Sequence, residues 1–133
     1  MPSPAYTKNF KIPGSAIDEN GHVNNVVYVQ WMQDIAVEHY ASIGGVEAQG
    51  PNATWVVREH RVEYLLPAFA GEEVEIKTWI ENIRRVRSLR KYEFVRRADG
   101  KVLVRGETDW VFVDVKTGSP RAIPAEVEKV FLK

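Results

Sequence analysis

At 133 residues with no cysteine, the chain excludes a disulfide framework, a thiolate metal site and a cysteine nucleophile. Its hydrophobic fraction of 44% and charged fraction of 27% exclude a disordered polymer, and the length suits one domain, residues 1–133, with a core of its own. The 18 basic and 18 acidic side chains cancel, which excludes bulk attraction to nucleic acid. No run has the length of a signal-peptide core or a membrane span, so a cytoplasmic protein without a membrane segment is expected.

In chain order, Tyr6 to Ile12 reads as a short strand stopped by Pro13-Gly14-Ser15. A polar loop from Asp18 to His22 leads to the one long helical pattern, with Tyr28, Trp31, Met32, Ile35, Ala36, His39 or Tyr40, and Ile43 at steps of three and four. Asn24 or Asn25 caps its start and Gly44-Gly45 its end. After Gly50-Pro51-Asn52 the period changes to two. Thr54 to Leu66 is one strand, ended by Pro67. Glu73 to Asn82 alternates, with Val74, Ile76, Thr78 and Ile80 on one face. Val86 to Ala98 and Lys101 to Val115 are two further strands joined at Asp99-Gly100, a hairpin signal. Pro124, at a first helical position, opens a short helix from Ala125 to Phe131. Segregated elements of this kind define an α+β fold, with one long helix on a five-stranded antiparallel sheet.

The charge is unevenly spread. Arg84, Arg85, Arg87, Arg90, Lys91, Arg96, Arg97, Lys101 and Arg105 crowd one stretch, read either as a solvated strand face or as a contact for a polyanionic ligand or an acidic carrier. Three scattered histidines give no metal spacing, so no metal is expected. His39 and His60 read as structural and Glu38 as a solvated helix residue. None of Ser15, Ser42, Ser88 and Ser119 lies in Gly-x-Ser-x-Gly, which excludes a nucleophile elbow. Trp31 and Trp110 read as core, and Trp79 as a partly covered or subunit-contact residue.

Asp18-Glu19-Asn20-Gly21-His22-Val23-Asn24-Asn25 carries the chemistry. It places a carboxylate, an imidazole and carboxamides immediately before a helix whose first N–H groups are unpaired and positively polarised. Such donors stabilise an oxygen that becomes negative in acyl transfer, and a carboxylate beside them can activate water or attack a carbonyl. On spacing alone, a turn aspartate and a loop histidine account for the same residues.

The pattern Asp-x-x-Gly-His-Val-Asn-Asn-x-x-Tyr over residues 18–28, with Trp31 beyond it, is similar to the signature of the 4-hydroxybenzoyl-CoA thioesterase family of hotdog proteins. The resemblance continues through residues 61–68, 71–74, 99–106, 110–114 and 118–124. It implies a hotdog fold and an acyl thioesterase acting on acyl-CoA or acyl-carrier protein without a cofactor. It also implies a homodimer or homotetramer with the active site between protomers. By position, Asp18 acts on the thioester and the backbone N–H of Asn25 holds the oxyanion. The Asp-x-Asn-x-His spacing also resembles the plant acyl-carrier thioesterases, which implies that Asn20 and His22 orient water or polarise the carbonyl. Tyr28 and Trp55 then stand as candidate acyl-binding residues. The chain departs from the pattern at Ala16, where many short members carry a second acid, and at Pro67, where the plant enzymes carry a glutamate. A non-hydrolytic acyl-CoA-binding protein and a hotdog hydratase or dehydratase remain as alternatives.

Overall fold

The computed structural model describes residues 2–132. Five strands, β1 (Tyr6–Lys11), β2 (Ala53–Tyr64), β3 (Glu73–Arg84), β4 (Arg87–Arg96) and β5 (Val102–Asp114), form one antiparallel sheet in the order β1-β3-β4-β5-β2. The last three in sequence make a meander, whereas β2 crosses to pair with β5 and so becomes an edge strand, as does β1. The helices are α1 (Asn25–Ser42), α2 (Gly45–Gln49) and α3 (Ala125–Phe131). The expected hotdog arrangement of a long helix on five antiparallel strands is what the chain forms.

The side chain of Asn24 caps α1 by accepting from the Val26 N–H at 3.0 Å. Tyr28, Met32, Ile35, Ala36 and His39 form its buried stripe, and Gly44 ends it in the left-handed region at φ 85°. The helix comes unusually close to β5 at Gly106. A Cβ there would lie 2.8 Å from the Met32 sulfur, and Met32 is fully buried. Around this contact the main core gathers Tyr28, Ile76, Tyr92, Phe94, Leu103 and Val104. A second cluster, Ile80, Val127 and Phe131 with Tyr40 and Trp55, seats α3 against the opposite end.

Four details differ from the sequence reading. Residues 45–49, expected as loop, wind into α2 directly after Gly44. Pro124 is the N-cap of α3 and not its first helical residue, since its ψ of 152° is extended. Trp110 packs against the main core as expected, but it is half-buried and its other side lines a cavity. The basic stretch is not uniformly solvated either: Arg90, on the central strand β4, faces inward with Tyr92 and Phe94 and is 3% exposed. Among the described residues no helix is long and apolar enough to cross a membrane.

Candidate active site

Residues 17–24 form a closed turn ahead of α1. Ile17 and Val23 make an antiparallel bridge, and the Asp18 N–H donates to the His22 carbonyl at 3.1 Å. Gly21, at φ 83°, takes the reversal, and its N–H donates to the Asp18 carbonyl at 3.0 Å. The turn is pinned from outside as well. The Val23 N–H donates to the Ala68 carbonyl, and the Asn24 N–H to the Ala16 carbonyl, both at 2.9 Å. Ala16 and Val23 are buried, so the turn is anchored by its flanks while its tip stays exposed.

Asp18 is half-buried. Its Oδ1 accepts from the Asn20 N–H at 2.9 Å, an Asx turn that fixes the carboxylate, while Oδ2 has no protein donor among the described residues. Asn20 is exposed, and His22 is half-buried with its Nδ1 in a long 3.5 Å contact with the Val23 carbonyl. At the helix start, Asn24 takes the Val26 and Val27 N–H groups, on its side chain and carbonyl respectively. The Asn25 N–H is left without an acceptor among the described residues. The Tyr64 hydroxyl donates to the Asn25 carbonyl at 2.9 Å and so ties the end of β2 to this first turn. Asp18, Asn20, His22 and the Asn25 amide are therefore brought together at the positive end of an 18-residue helix.

The two candidate acyl-binding residues are not brought together within one chain. Tyr28 lies in the main core, its ring edge-on to Trp31 and Phe94 at 5.5 and 5.0 Å. Its hydroxyl is buried without a partner, and burial pushes its pKa up to about 12. Trp55 sits under the far half of α1, edge-on to Phe112 and Tyr40, where it lines a cavity of about 230 Å³. Ala36 and Tyr40, which also line it, lie about 16–22 Å along the helix axis from Asn25.

Sequence reasoning missed Arg90, which lines that cavity. Its Nη1 donates to His39 Nδ1 at 2.9 Å and to Thr78 Oγ1 at 3.0 Å. An arginine cannot accept, so His39 Nδ1 must, which places the imidazole proton on Nε2. Burial, reinforced by the Arg90 charge, holds His39 down at about 4 and keeps it neutral. The available signal was strand parity: Arg90 falls on the same face as Tyr92 and Phe94. Glu38 is a surface tie, accepting from Tyr6 at 3.0 Å and Lys8 at 2.9 Å. Among the described residues no group of three acids and histidines has the geometry of a metal site.

The fold is that of hotdog proteins, and comparison with known proteins agrees. Residues 13–131 match the Thioesterase-like superfamily, and the chain belongs to it. Among solved structures, it is similar to a 1,4-dihydroxy-2-naphthoyl-CoA thioesterase from Synechocystis, at a TM-score of 0.84 and 14% identity over 96% of each chain. It is also similar to a probable thioesterase from Escherichia coli, at 0.83 and 20% identity over 96% of this chain and 98% of that one. A DHNA-CoA thioesterase from Staphylococcus aureus superposes at 0.79 with 22% identity, over 89% and 80% of the two chains. No match was found among curated proteins.

Proposed function

We propose that this chain, working as one domain, hydrolyses acyl-CoA or acyl-carrier-protein thioesters at the turn before α1. The observation that carries this reading is the pairing of a fixed carboxylate, Asp18, with an unsatisfied helix-start donor, the Asn25 N–H. The thioester oxygen docks on that N–H, where the helix dipole favours the charge that develops. Asp18 Oδ2 then takes a proton from water as the water oxygen bonds to the carbonyl carbon. Collapse of the tetrahedral intermediate breaks the C–S bond, its electron pair leaves on sulfur, and the proton held by Asp18 neutralises the thiolate. Alternatively Oδ2 itself bonds to the carbon, the C–S bond breaks with its electron pair leaving on sulfur as thiolate, and water then cleaves the mixed anhydride. In this reading Asn20, exposed, and His22, half-buried, orient the water.

We infer a homodimer joined along β2, with a dimer of dimers as the larger form. Among the described residues β2 pairs only with β5, and exposed Val56 and Tyr64 on it, with Leu65 and Leu66 just past its end, leave apolar surface along this edge strand. Two-fold related edge strands pair antiparallel, so the Tyr64 end of one copy, with its Asn25 and Asp18, meets the Trp55 end of the other. That arrangement joins the catalytic turn of one protomer to the cavity of its neighbour, and it gives Trp55 an acyl-binding role that a lone chain denies it. The CoA-thioester substrates named for two of the structural relatives support CoA as the carrier.

The experiment is thiol release from acyl-CoAs of graded length, read with a chromogenic thiol reagent to which the cysteine-free protein gives no background. Length-dependent turnover is the expected result. Tight binding without thiol release would favour the non-hydrolytic alternative, and water addition to an enoyl-CoA would favour the hydratase.

A further inference from the structure

The cavity between the C-terminal half of α1 and the sheet contains a charge that no described acidic side chain neutralises. Its walls are mainly apolar, with Ala36, Tyr40, Trp55, Ile80, Trp110 and Phe131 among them, and no acidic side chain lines it. Arg90 stands at the centre of the sheet, between Ile80 of β3 and Thr108 of β5. It is 3% exposed and has no carboxylate within ion-pair distance among the described residues. One nitrogen, Nη1, is satisfied by His39 and Thr78, and the ring of Phe131 lies 5.8 Å from the guanidinium carbon. Nε and Nη2 have no acceptor among the described residues.

An uncompensated buried charge costs several kcal/mol, and a neutral donor would serve Thr78 and His39 equally well. Burial lowers the Arg90 pKa to about 10, which still leaves it charged at neutral pH. The free edge of a guanidinium, Nε and one Nη, is the fork that takes a carboxylate in two parallel hydrogen bonds. At about 230 Å³ the cavity is half as large again as the roughly 150 Å³ that takes up a benzene ring.

We propose that this cavity binds a carboxylate carried on a medium-length apolar chain, with the carboxylate paired to Arg90 and the chain against Trp55 and Trp110. The pocket itself stands on the geometry above. Only the origin of the carboxylate rests on the thioesterase reading: it is either the far end of an acyl group delivered by the neighbouring protomer or the free acid that hydrolysis releases.

The test compares octanoate with 1-octanol, equal in chain length, by titration of tryptophan fluorescence in the wild-type protein at neutral pH. A desolvated charge-assisted pair predicts roughly 10- to 100-fold tighter binding of octanoate. Equal affinities, or no saturable binding of either, would overturn the proposal without any variant being needed. In Arg90→Met, with thermal unfolding measured to establish that it folds, the preference should fall to about onefold. A folded variant that keeps it refutes the role of Arg90. Turnover then separates the sources. A lower KM for octanedioyl-CoA than for octanoyl-CoA assigns the carboxylate to the acyl end, and competitive inhibition by octanoate without that advantage assigns it to the product. Arg90-dependent octanoate binding in a protein that releases no thiol would leave the pocket standing and remove the thioesterase reading.

Discussion

Asn25→Pro isolates the donor on which the mechanism depends, because proline deletes a backbone N–H and little else at this position. Asn25 is the first residue of α1, where the missing N–H has no intrahelical partner and the fixed φ suits the helix. The residue before a proline must be extended, and Asn24 already is, at φ −63° and ψ 132°. No hydrogen bond is lost, since the Asn25 N–H takes no acceptor, and its side chain is exposed. The fold should therefore be unharmed, and the stiffer unfolded chain adds up to about 1 kcal/mol in its favour. Catalysis should not escape. Removing one oxyanion donor raises the barrier by about 2.7–4 kcal/mol, a loss of roughly 100- to 1,000-fold in kcat. Asn25→Ala, which keeps the N–H, is the matched control and should retain activity. The assay is thiol release under saturating acyl-CoA, with circular dichroism and thermal unfolding on the same samples. A folded Asn25→Pro protein with kcat within a few-fold of wild type would refute the oxyanion assignment.

Gly106→Ala drives a methyl group to within 2.8 Å of the Met32 sulfur, so it should destabilise the protein by about 1–3 kcal/mol in urea unfolding; an unchanged midpoint would show that α1 does not bear on β5 there. His39 links stability to pH. Its folded pKa of about 4 lies below the unfolded 6.5, so the unfolded chain binds a proton that the native one refuses. Stability from this group is therefore fully present above 6.5 and falls on acidification towards about 4, by on the order of 3 kcal/mol. His39→Asn, which keeps an acceptor for Arg90, should flatten that part of the profile; an equally steep profile in the variant would assign it elsewhere. Single turnover in heavy-oxygen water separates the two routes open to Asp18. Label in the Asp18 carboxylate after excess enzyme turns over records an anhydride opened at the aspartyl carbonyl, whereas a general base leaves that carboxylate unlabelled.

The parts of the fold set by local chemistry were legible in the sequence. The Asn24 cap, the stripe from Tyr28 to His39 and the Gly44 stop gave α1 its limits, and the alternation from Val74 to Ile80 gave β3 its inner face. The turn that gathers Asp18, Asn20, His22 and Asn25 was legible too, since it is contiguous in sequence and its geometry follows from an Asx turn and a helix start. Long-range features were not. Pairing of β2 with β5 depends on which edge the crossover reaches, and bulges such as that between Val57 and Glu59 reset strand parity without a mark in composition. Arg90 was hidden by its company: among nine basic residues it reads as solvated, and only its register with Tyr92 and Phe94 turns it inward. The separation of Trp55 from Tyr28 followed from β2 running towards Asn25 along α1, so that Trp55, at its start, lies beside Tyr40 and only Tyr64, at its end, reaches the catalytic turn.

Asp18→Asn is the most direct test of the central claim. The amide is isosteric and can keep its Oδ1 on the Asn20 N–H, so the turn is preserved while the negative charge is removed. Thiol release from the best acyl-CoA should fall by roughly 100- to 10,000-fold with the thermal midpoint unchanged. A folded Asp18→Asn protein that turns over at the wild-type rate would contradict the account and move the chemistry away from this turn.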